Sequence, residues 1–217
     1  MVPVRVHVYG PSALLVELTD LSEVLGLHAA LRRDPPSGLI ESVPAARSLL
    51  VSFDPAVTTA AITAADIRAR DFEPHVFGEG SGEGEGEGAG PEAVIRVRYD
   101  GADLPEVTGL TGLDAEQVIR RHSSCSYVVA LIGIAPGFYF LAGGHPALRV
   151  PRRRSPRLSV PKGSVALADV FTGVYPRTGP GGWQVIGHTS DELWDLTRRP
   201  SALLAPGTRV RFLREPG

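Results

Sequence analysis

Five arginines within nine residues form the one basic cluster of this chain, at Arg149, Arg152, Arg153, Arg154 and Arg157. A charged run of this kind is usually a solvated loop. Arg152 and Arg157 differ because each directly follows a proline, which restricts the backbone beside the guanidinium. A planar guanidinium held in this way loses less freedom when it pairs with a carboxylate. Arg152 and Arg157 are therefore predicted to bind the carboxylate of a substrate or of a carboxylated intermediate.

Three uncharged polar residues follow the arginines, at Thr172, Tyr175 and Gln184. Each donates and accepts hydrogen bonds, which suits the orientation of an amide or lactam and the stabilisation of an oxyanion. Tyr175 and Gln184 are predicted to take part in catalysis, and Thr172 to bind substrate. The alternative is that Thr172 and Tyr175 satisfy loop backbone while Gln184 faces solvent.

Glycines and aromatic residues border this polar set. Gly181 and Gly182 offer consecutive backbone amides with free φ, which predicts an anion-binding turn; Trp183 directly after them argues equally for a tight hairpin anchored by a buried indole. Phe138 follows Gly137 in a loop and is predicted to present an aromatic face to substrate. The alternative is a core position, because neighbouring aromatic residues must alternate across a strand.

His122 stands at the predicted end of a helix. There the carbonyl ends of the helix favour the protonated imidazole, so His122 is expected to be a cation near neutral pH, either as a cap or as a functional residue. Cys125 follows three residues later, but no third group that would orient a Cys/His pair is evident.

The remaining motifs indicate neither a metal nor a nucleotide site. His7, His28 and His75 do not have the i, i+4 or His-x-His spacing used by metal sites. Ser159 and Lys162 have the Ser-x-x-Lys spacing of penicillin-binding enzymes, but the proline before Lys162 disfavours the helix that this chemistry needs. The segment after Lys162 also lacks the residue order of a phosphate-binding loop. The chain is therefore predicted to bind no metal and no cofactor by itself.

Composition argues against polyanionic and membrane partners. Lys and Arg number 22 against 24 Asp and Glu, a formal net charge of -2, which gives no electrostatic basis for nucleic-acid binding. No stretch approaches about 18 uninterrupted apolar residues, and the first residues lack the pattern of a secretory signal. The single cysteine excludes an intrachain disulfide. These features predict a cytoplasmic protein that binds neither nucleic acid nor a membrane.

The elements that must position these residues fall on either side of a low-complexity segment. Residues 78–91 alternate glycine with glutamate, serine and alanine and are predicted to be a flexible linker. Residues 92–217 contain strands of four to eight residues between Gly and Pro turns, which predicts a small β-barrel. Two short helices are expected within it, the second opened by a capping box of Asp114 and Gln117.

Residues 1–77 have a mixed pattern, predicted as a small ββαββα domain. A capping box at Asp20 and Glu23 is expected to open the first helix, and Asp54-Pro55 the second, which runs to about Arg70. The predicted fold class is therefore α+β, with an N-terminal α/β domain and a C-terminal barrel.

Several of these segments occur in the order of a known family. The most specific are Ala135-Pro136-Gly137-Phe138, the two Pro-Arg pairs, Thr172-Gly173-Val174-Tyr175-Pro176 and the run from Pro180 to Gly187. In these motifs, from about Arg96 to Phe212, the chain resembles the allophanate hydrolase subunit 1 family, which includes the B subunit of 5-oxoprolinase and KipI. The resemblance implies a cyclophilin-like barrel, and it adds His122 to the candidate catalytic residues because the family has a His at the matching position.

The resemblance also implies an activity. The chain is expected to be one subunit of an ATP-dependent amidohydrolase complex that opens 5-oxoproline to glutamate, with allophanate as the other small amide substrate. The implied partner is a chain of the allophanate hydrolase subunit 2 type, to which the C subunit of 5-oxoprolinase corresponds. Because the chain shows no ATP site, ATP is expected to be used through another subunit, which leaves room for a third, ATP-using chain.

The alternative function is regulatory. A KipI-like protein would dock on a histidine kinase through its barrel and inhibit it. A complete acid/base pair or metal set is not evident in the sequence, which fits an inhibitor as well as it fits an enzyme subunit. Prolyl isomerase activity is a weaker alternative, supported by barrel analogy alone.

Overall fold

The computed structural model describes residues 4–76 and 92–216. Two compact units divide the chain, Met1–Val76 and Phe77–Gly217. The linker predicted at residues 78–91 lies outside the described residues.

The first unit has the predicted ββαββα order: β1 (Arg5–Val8), β2 (Ala13–Glu17), α1 (Leu21–Arg33), β3 (Leu39–Pro44), β4 (Ser48–Phe53) and α2 (Ala60–Ala69). The strands form an antiparallel sheet in the order β1-β2-β4-β3. Alternate residues of β2 and β4 face the helices, as expected for a sheet with one buried face. The core of this unit includes Leu14, Val16, Leu27, Leu49, Val51 and Ile67.

The helix α2 begins later than the sequence predicts. Residues 54–58 instead form a turn, in which the Asp54 carbonyl accepts from the amides of Val57 and Thr58, each at 3.0 Å. Thr59 then caps the helix through its side chain, which accepts from the Ile62 amide at 3.3 Å. A hydroxyl in the N-cap position satisfies a helix amide that has no partner within the helix, so Thr59 sets where the helix starts.

The second unit contains nine strands and two α-helices in its described residues. They are β5 (Ala93–Val97), α3 (Leu104–Thr111), α4 (Ala115–Ser123), β6 (Ser126–Ile132), β7 (Tyr139–Ala142), β8 (Arg157–Val160), β9 (Ser164–Ala168), β10 (Phe171–Val174), β11 (Gly179–Gly181), β12 (Gln184–His188) and β13 (Arg209–Arg214). The predicted capping box is present: Asp114 accepts from the Gln117 amide at 2.7 Å, and Gln117 accepts from the Asp114 amide at 3.0 Å.

Seven of these strands form a nearly closed barrel. Their order is β12-β9-β10-β7-β6-β13-β5, and all neighbours are antiparallel except β13 and β5. The two edge strands meet at a single bridge just beyond β5, where Arg98 and His188 of β12 exchange backbone hydrogen bonds of 2.9 and 2.8 Å. The predicted α+β class with a C-terminal barrel is confirmed.

The barrel wall separates two cores. The inner core takes residues from every barrel strand, with Val107 of α3 and Val118 of α4, and its largest side chains are Tyr127, Tyr139 and Phe212. The barrel interior is therefore filled by the chain itself. A second, smaller core lies on the outer face of β9, β10 and β12 and includes Phe138, Val160, Tyr175 and Trp183. A two-stranded ribbon of β8 and β11 supplies Val160 to this outer core.

Candidate functional site

The barrel wall divides the residues predicted from sequence into two groups. Thr172 and Gln184 both pair with Leu167 in the sheet register, so all three side chains point to the interior. Tyr175 and Phe138 belong to the outer core, together with Trp183. The predicted set therefore does not form one cluster.

His122 is completely buried inside the barrel. The Tyr99 hydroxyl lies 2.7 Å from its Nδ1 and the Thr172 hydroxyl 3.3 Å from its Nε2, and the Phe212 ring packs 4.5 Å away between centroids. Burial lowers the pKa of His122 to about 3. The expectation of a cation at neutral pH is therefore wrong, because the loss of hydration outweighs the favourable field of the helix end.

A second buried polar cluster centres on Asp103, whose side chain is 2% exposed. Arg157 donates two hydrogen bonds to its carboxylate, at 2.6 and 2.7 Å, and the Val185 amide donates a third at 2.7 Å. Arg153 donates to the same carboxylate and, at 3.0 Å, to Glu106. Burial by itself would raise the pKa of Asp103, but the hydrogen bonds from Arg157 and Val185 outweigh it and hold the pKa below its usual value.

This cluster corrects the prediction for Arg157. Its planar guanidinium does pair with a carboxylate, as the sequence indicated, but the partner is Asp103 of the same chain. Arg157 therefore has a structural role. No local pattern indicates this pairing, because Asp103 is 54 residues away and its surroundings in the sequence indicate only the start of a helix.

Arg152 remains available to a ligand. Its side chain is exposed, and it forms no ion pair with any described residue. The guanidinium carbon lies 5.9 Å from the centre of the Trp183 ring, an arrangement that holds the cation over an aromatic face. Arg152 is thus the predicted carboxylate-binding residue whose position in the structure suits that role.

Tyr175 and the two glycines lie next to this arginine. A side chain at Gly181 would overlap the Tyr175 hydroxyl, so the phenol packs directly on the backbone of β11. Burial raises the pKa of Tyr175, although the Trp183 amide and the charges of Arg152 and Arg157 act in the opposite direction. The hydroxyl is therefore a protonated donor at neutral pH. Gly182 follows Gly181 on the same stretch, beside the Pro156 ring.

Phe138 is 2% exposed and packs edge-on against Tyr175 and Trp183, with ring centres 5.2 and 5.4 Å away. The expectation that it presents a face to substrate is wrong, since alternation along the chain places Phe138 in the outer core and Tyr139 in the inner one. Its loop is nevertheless unusual. Ile134 has φ of +69° and is 73% exposed, which is strained for a β-branched residue.

Gln184 is 1% exposed, so the alternative that it faces solvent is also wrong. Its Nε2 donates to Glu106 at 3.3 Å and to the Pro151 carbonyl at 3.4 Å, while its Oε1 has no hydrogen-bond partner. The side chain thus connects β12 to the segment before Arg152. Its buried amide oxygen is an unused acceptor.

A small cleft opens beside Tyr175 on another side. Its volume is about 220 Å³, and it is lined by Gly163, Tyr175, Pro176 and residues 189–193. Lys162 at its edge donates to both oxygens of Glu192, at 2.6 and 2.8 Å. The charge of Lys162 is therefore neutralised within the chain.

Metal-binding and membrane-spanning features are absent from the part of the chain that the structure describes. No three His, Cys, Asp or Glu side chains come together as metal ligands within residues 4–76 and 92–216. In the same ranges, none of the helices has the length and apolar character needed to cross a bilayer.

Known proteins resemble this chain in sequence and in structure. The family model for the carboxyltransferase domain, subdomain C and D, matches residues 4–204. The 5-oxoprolinase B subunit of Bacillus subtilis (strain 168) is 35% identical over 221 residues, which cover 97% of this chain and 92% of that protein. The 5-oxoprolinase B subunit of Escherichia coli O157:H7 is 49% identical over 122 residues, and the match spans about half of that relative, 56%.

The crystal structure of TTHA0988 has the same fold. It superimposes with a TM-score of 0.72 at 35% identity and covers 99% of this chain. The match accounts for only 40% of the TTHA0988 chain. In that protein the fold found here is therefore joined to a longer stretch of polypeptide.

Proposed function

Because this chain belongs to the carboxyltransferase-domain family, subdomains C and D, in the branch of the 5-oxoprolinase B subunit and allophanate hydrolase subunit 1, we propose that it is one subunit of an ATP-dependent complex that opens 5-oxoproline to glutamate. The observation that carries this proposal is the match to the Bacillus subtilis 5-oxoprolinase B subunit, which extends over nearly the whole of both chains.

The site supports a subunit rather than a complete enzyme. The exposed Arg152 guanidinium lies over the buried Trp183 ring, with the buried Tyr175 and the Gly181-Gly182 backbone beside them. Such a surface binds and orients a small carboxylate-bearing amide. The described residues place no general acid/base pair at this surface. The extra polypeptide in TTHA0988 also supports a neighbouring chain that completes the pocket.

The proposed reaction is shared between this chain and another subunit. A lactam carbonyl is a poor electrophile, so its oxygen first takes the terminal phosphoryl group of ATP, which releases ADP. Water then adds to the carbonyl carbon and the C–N bond breaks, leaving an acyl phosphate that a second water hydrolyses to the carboxylate of glutamate and phosphate. We place the phosphoryl transfer on another subunit, with ATP as its donor. This chain binds the substrate carboxylate through Arg152. The protonated Tyr175 hydroxyl donates a hydrogen bond to the amide of the same substrate.

Purification of the complex, followed by an activity assay, tests the proposal. The tagged chain is purified from its own cells, and glutamate formation from 5-oxoproline and ATP is measured for the recovered complex and for the chain alone. We expect turnover by the complex only. Turnover by the single chain, or a complex that acts on allophanate and not on 5-oxoproline, would contradict the proposal; recovery of a histidine kinase would favour the inhibitor.

Arg152→Ala tests the assignment of the carboxylate site within the complex. Loss of a charge-assisted hydrogen bond costs about 1.5–3 kcal/mol, so KM for 5-oxoproline should rise roughly tenfold or more. Arg154→Ala is the matched control, because Arg154 is also exposed and forms no ion pair with a described residue. Equal effects of the two substitutions would show that only net charge matters.

A further inference from the structure

We propose that Asp103 is a positioning residue, which holds Arg152 and Trp183 in the arrangement that receives the substrate carboxylate. This inference rests on the proposed function of Arg152. Asp103 itself touches neither Arg152 nor the substrate surface, and it acts through the two chain segments that carry Arg152 and Trp183.

The carboxylate joins these segments directly. On one side it accepts two hydrogen bonds from Arg157 and one from Arg153, so it holds the stretch 153–157 immediately after Arg152. On the other side it accepts from the Val185 amide, and the Asp103 amide donates to the Val185 carbonyl at 2.8 Å. Val185 is two residues after Trp183. One buried side chain therefore connects both parts of the surface.

Further bonds between the two segments depend on the same register. The Arg153 amide donates to the Gly182 carbonyl at 2.7 Å. Gln184 donates to the Pro151 carbonyl at 3.4 Å. These contacts lie on either side of Arg152 and Trp183 in the sequence, so a shift of the 151–157 stretch would move the guanidinium away from the indole. Residues 151–156 belong to no helix or strand that would hold them otherwise.

Charge gives the second reason for this assignment. Arg153 and Arg157 are neutralised by Asp103 and Glu106, whereas Arg152, over Trp183, has no ion-pair partner within the described ranges. Without the carboxylate, two partly buried guanidinium groups would repel each other and draw solvent or ligand anions to the wrong place. A surface that is held in place before binding also loses less entropy when the ligand arrives.

A double-mutant cycle separates positioning from general stability. KM for 5-oxoproline is measured in the reconstituted complex for Asp103→Asn, Arg152→Ala and the combination. If Asp103 acts through Arg152, each single substitution raises KM about tenfold and the combination raises it by little more than either. Asp100→Asn is the matched control in the same loop, since among residues 4–76 and 92–216 Asp100 pairs with the more exposed Arg98 and His188.

Hydrogen exchange gives a readout that does not need activity. The Arg153 amide bonds to Gly182 rather than to Asp103, so its exchange should accelerate at least about tenfold in Asp103→Asn only if the segment moves. Arg153→Gln is the milder variant should Asp103→Asn fail to fold, because it keeps the Arg157 pair. It should show the same coupling to Arg152→Ala.

The outcomes are distinguishable. A combined variant whose KM rises about a hundredfold, the product of the two single effects, would overturn positioning and leave the proposed function intact. Unchanged KM in every variant of an active complex would overturn positioning and the role of Arg152. A wild-type complex without 5-oxoproline turnover would overturn the proposed function, and unchanged exchange of the Arg153 amide would then overturn positioning separately.

Discussion

His122 and Arg157 have residue types suited to a site, but burial of His122 and the ion pair of Arg157 with Asp103 give both a structural role. The imidazole of His122 lies among tyrosines and Phe212 in the barrel interior, where solvent cannot stabilise its charged form. The guanidinium of Arg157 is charged but is paired with Asp103 through both terminal nitrogens. Arg152, a neighbour in sequence, keeps its charge exposed and forms no ion pair with a described residue. Partners distant in sequence decide which of these groups can meet a ligand.

The stability of the barrel unit should depend on pH through His122. Its pKa is about 3 in the folded chain and near 6.5 when unfolded, so the unfolded state binds the extra proton between these values. The contribution of neutral His122 to the free energy of unfolding is therefore fully present above about pH 6.5. It is lost as the pH falls towards 3, by at most about 1.4 kcal/mol per pH unit.

Denaturation between about pH 7 and 5 checks this, with the fluorescence of Trp183 and Trp194 reporting on the barrel unit. His122→Gln should flatten the slope of unfolding free energy against pH. The exposed His7, in the other unit, serves as control through His7→Gln. An unchanged slope in His122→Gln would contradict the burial argument.

Among the elements, packing on the outer face of the barrel depends on one small residue, Gly173. Five neighbouring strands each contribute one residue to a row of successive partners on this face: Leu131, Phe140, Gly173, Ala166 and Val185. Gly173 leaves room for Phe138 and Trp183, since a methyl group there would meet both rings. The sequence predicted strands and turns in this region, but the covering of this face by Trp183 follows from packing.

Two glycines of β11 provide a matched test of that packing. Gly181→Ala places a methyl group against the Tyr175 hydroxyl, whereas Gly179→Ala meets nothing within 4 Å. Overpacking costs about 1–3 kcal/mol, so we expect Gly181→Ala to lower the free energy of unfolding by that amount and Gly179→Ala to change it little. Urea denaturation of both variants measures the difference. Equal stabilities would mean that Tyr175 moves aside freely.

At the scale of the whole molecule, the two units have separate cores. The first packs α1 and α2 on a four-stranded sheet, and its core draws all its residues from positions before 77. The second fills a barrel and covers part of its outer face. Each unit thus has the buried apolar surface that a small domain needs.

The first unit should therefore fold without the second. A fragment of residues 1–76 is expected to unfold cooperatively on heating, with a stability of roughly 3–5 kcal/mol or less, as is usual for so small a core. Far-ultraviolet circular dichroism across a temperature ramp measures this. A featureless melt would show that the first core depends on the rest of the chain. Leu49→Ala in the same fragment, which removes a completely buried side chain, should abolish the transition.

The order of the elements in the first unit, the capping box at Asp114 and the family could be predicted from the amino-acid sequence, because these depend on local preferences and on motifs that neighbouring residues form together. It also indicated Arg152, where proline and arginine stand side by side. Long-range packing, in contrast, makes His122 buried and neutral, places Phe138 in a core and pairs Arg157 with Asp103. Alternation along a strand shows that the strand has two faces, but it does not show which face lies inside the barrel. An ion pair between residues 54 positions apart leaves no local trace in the sequence.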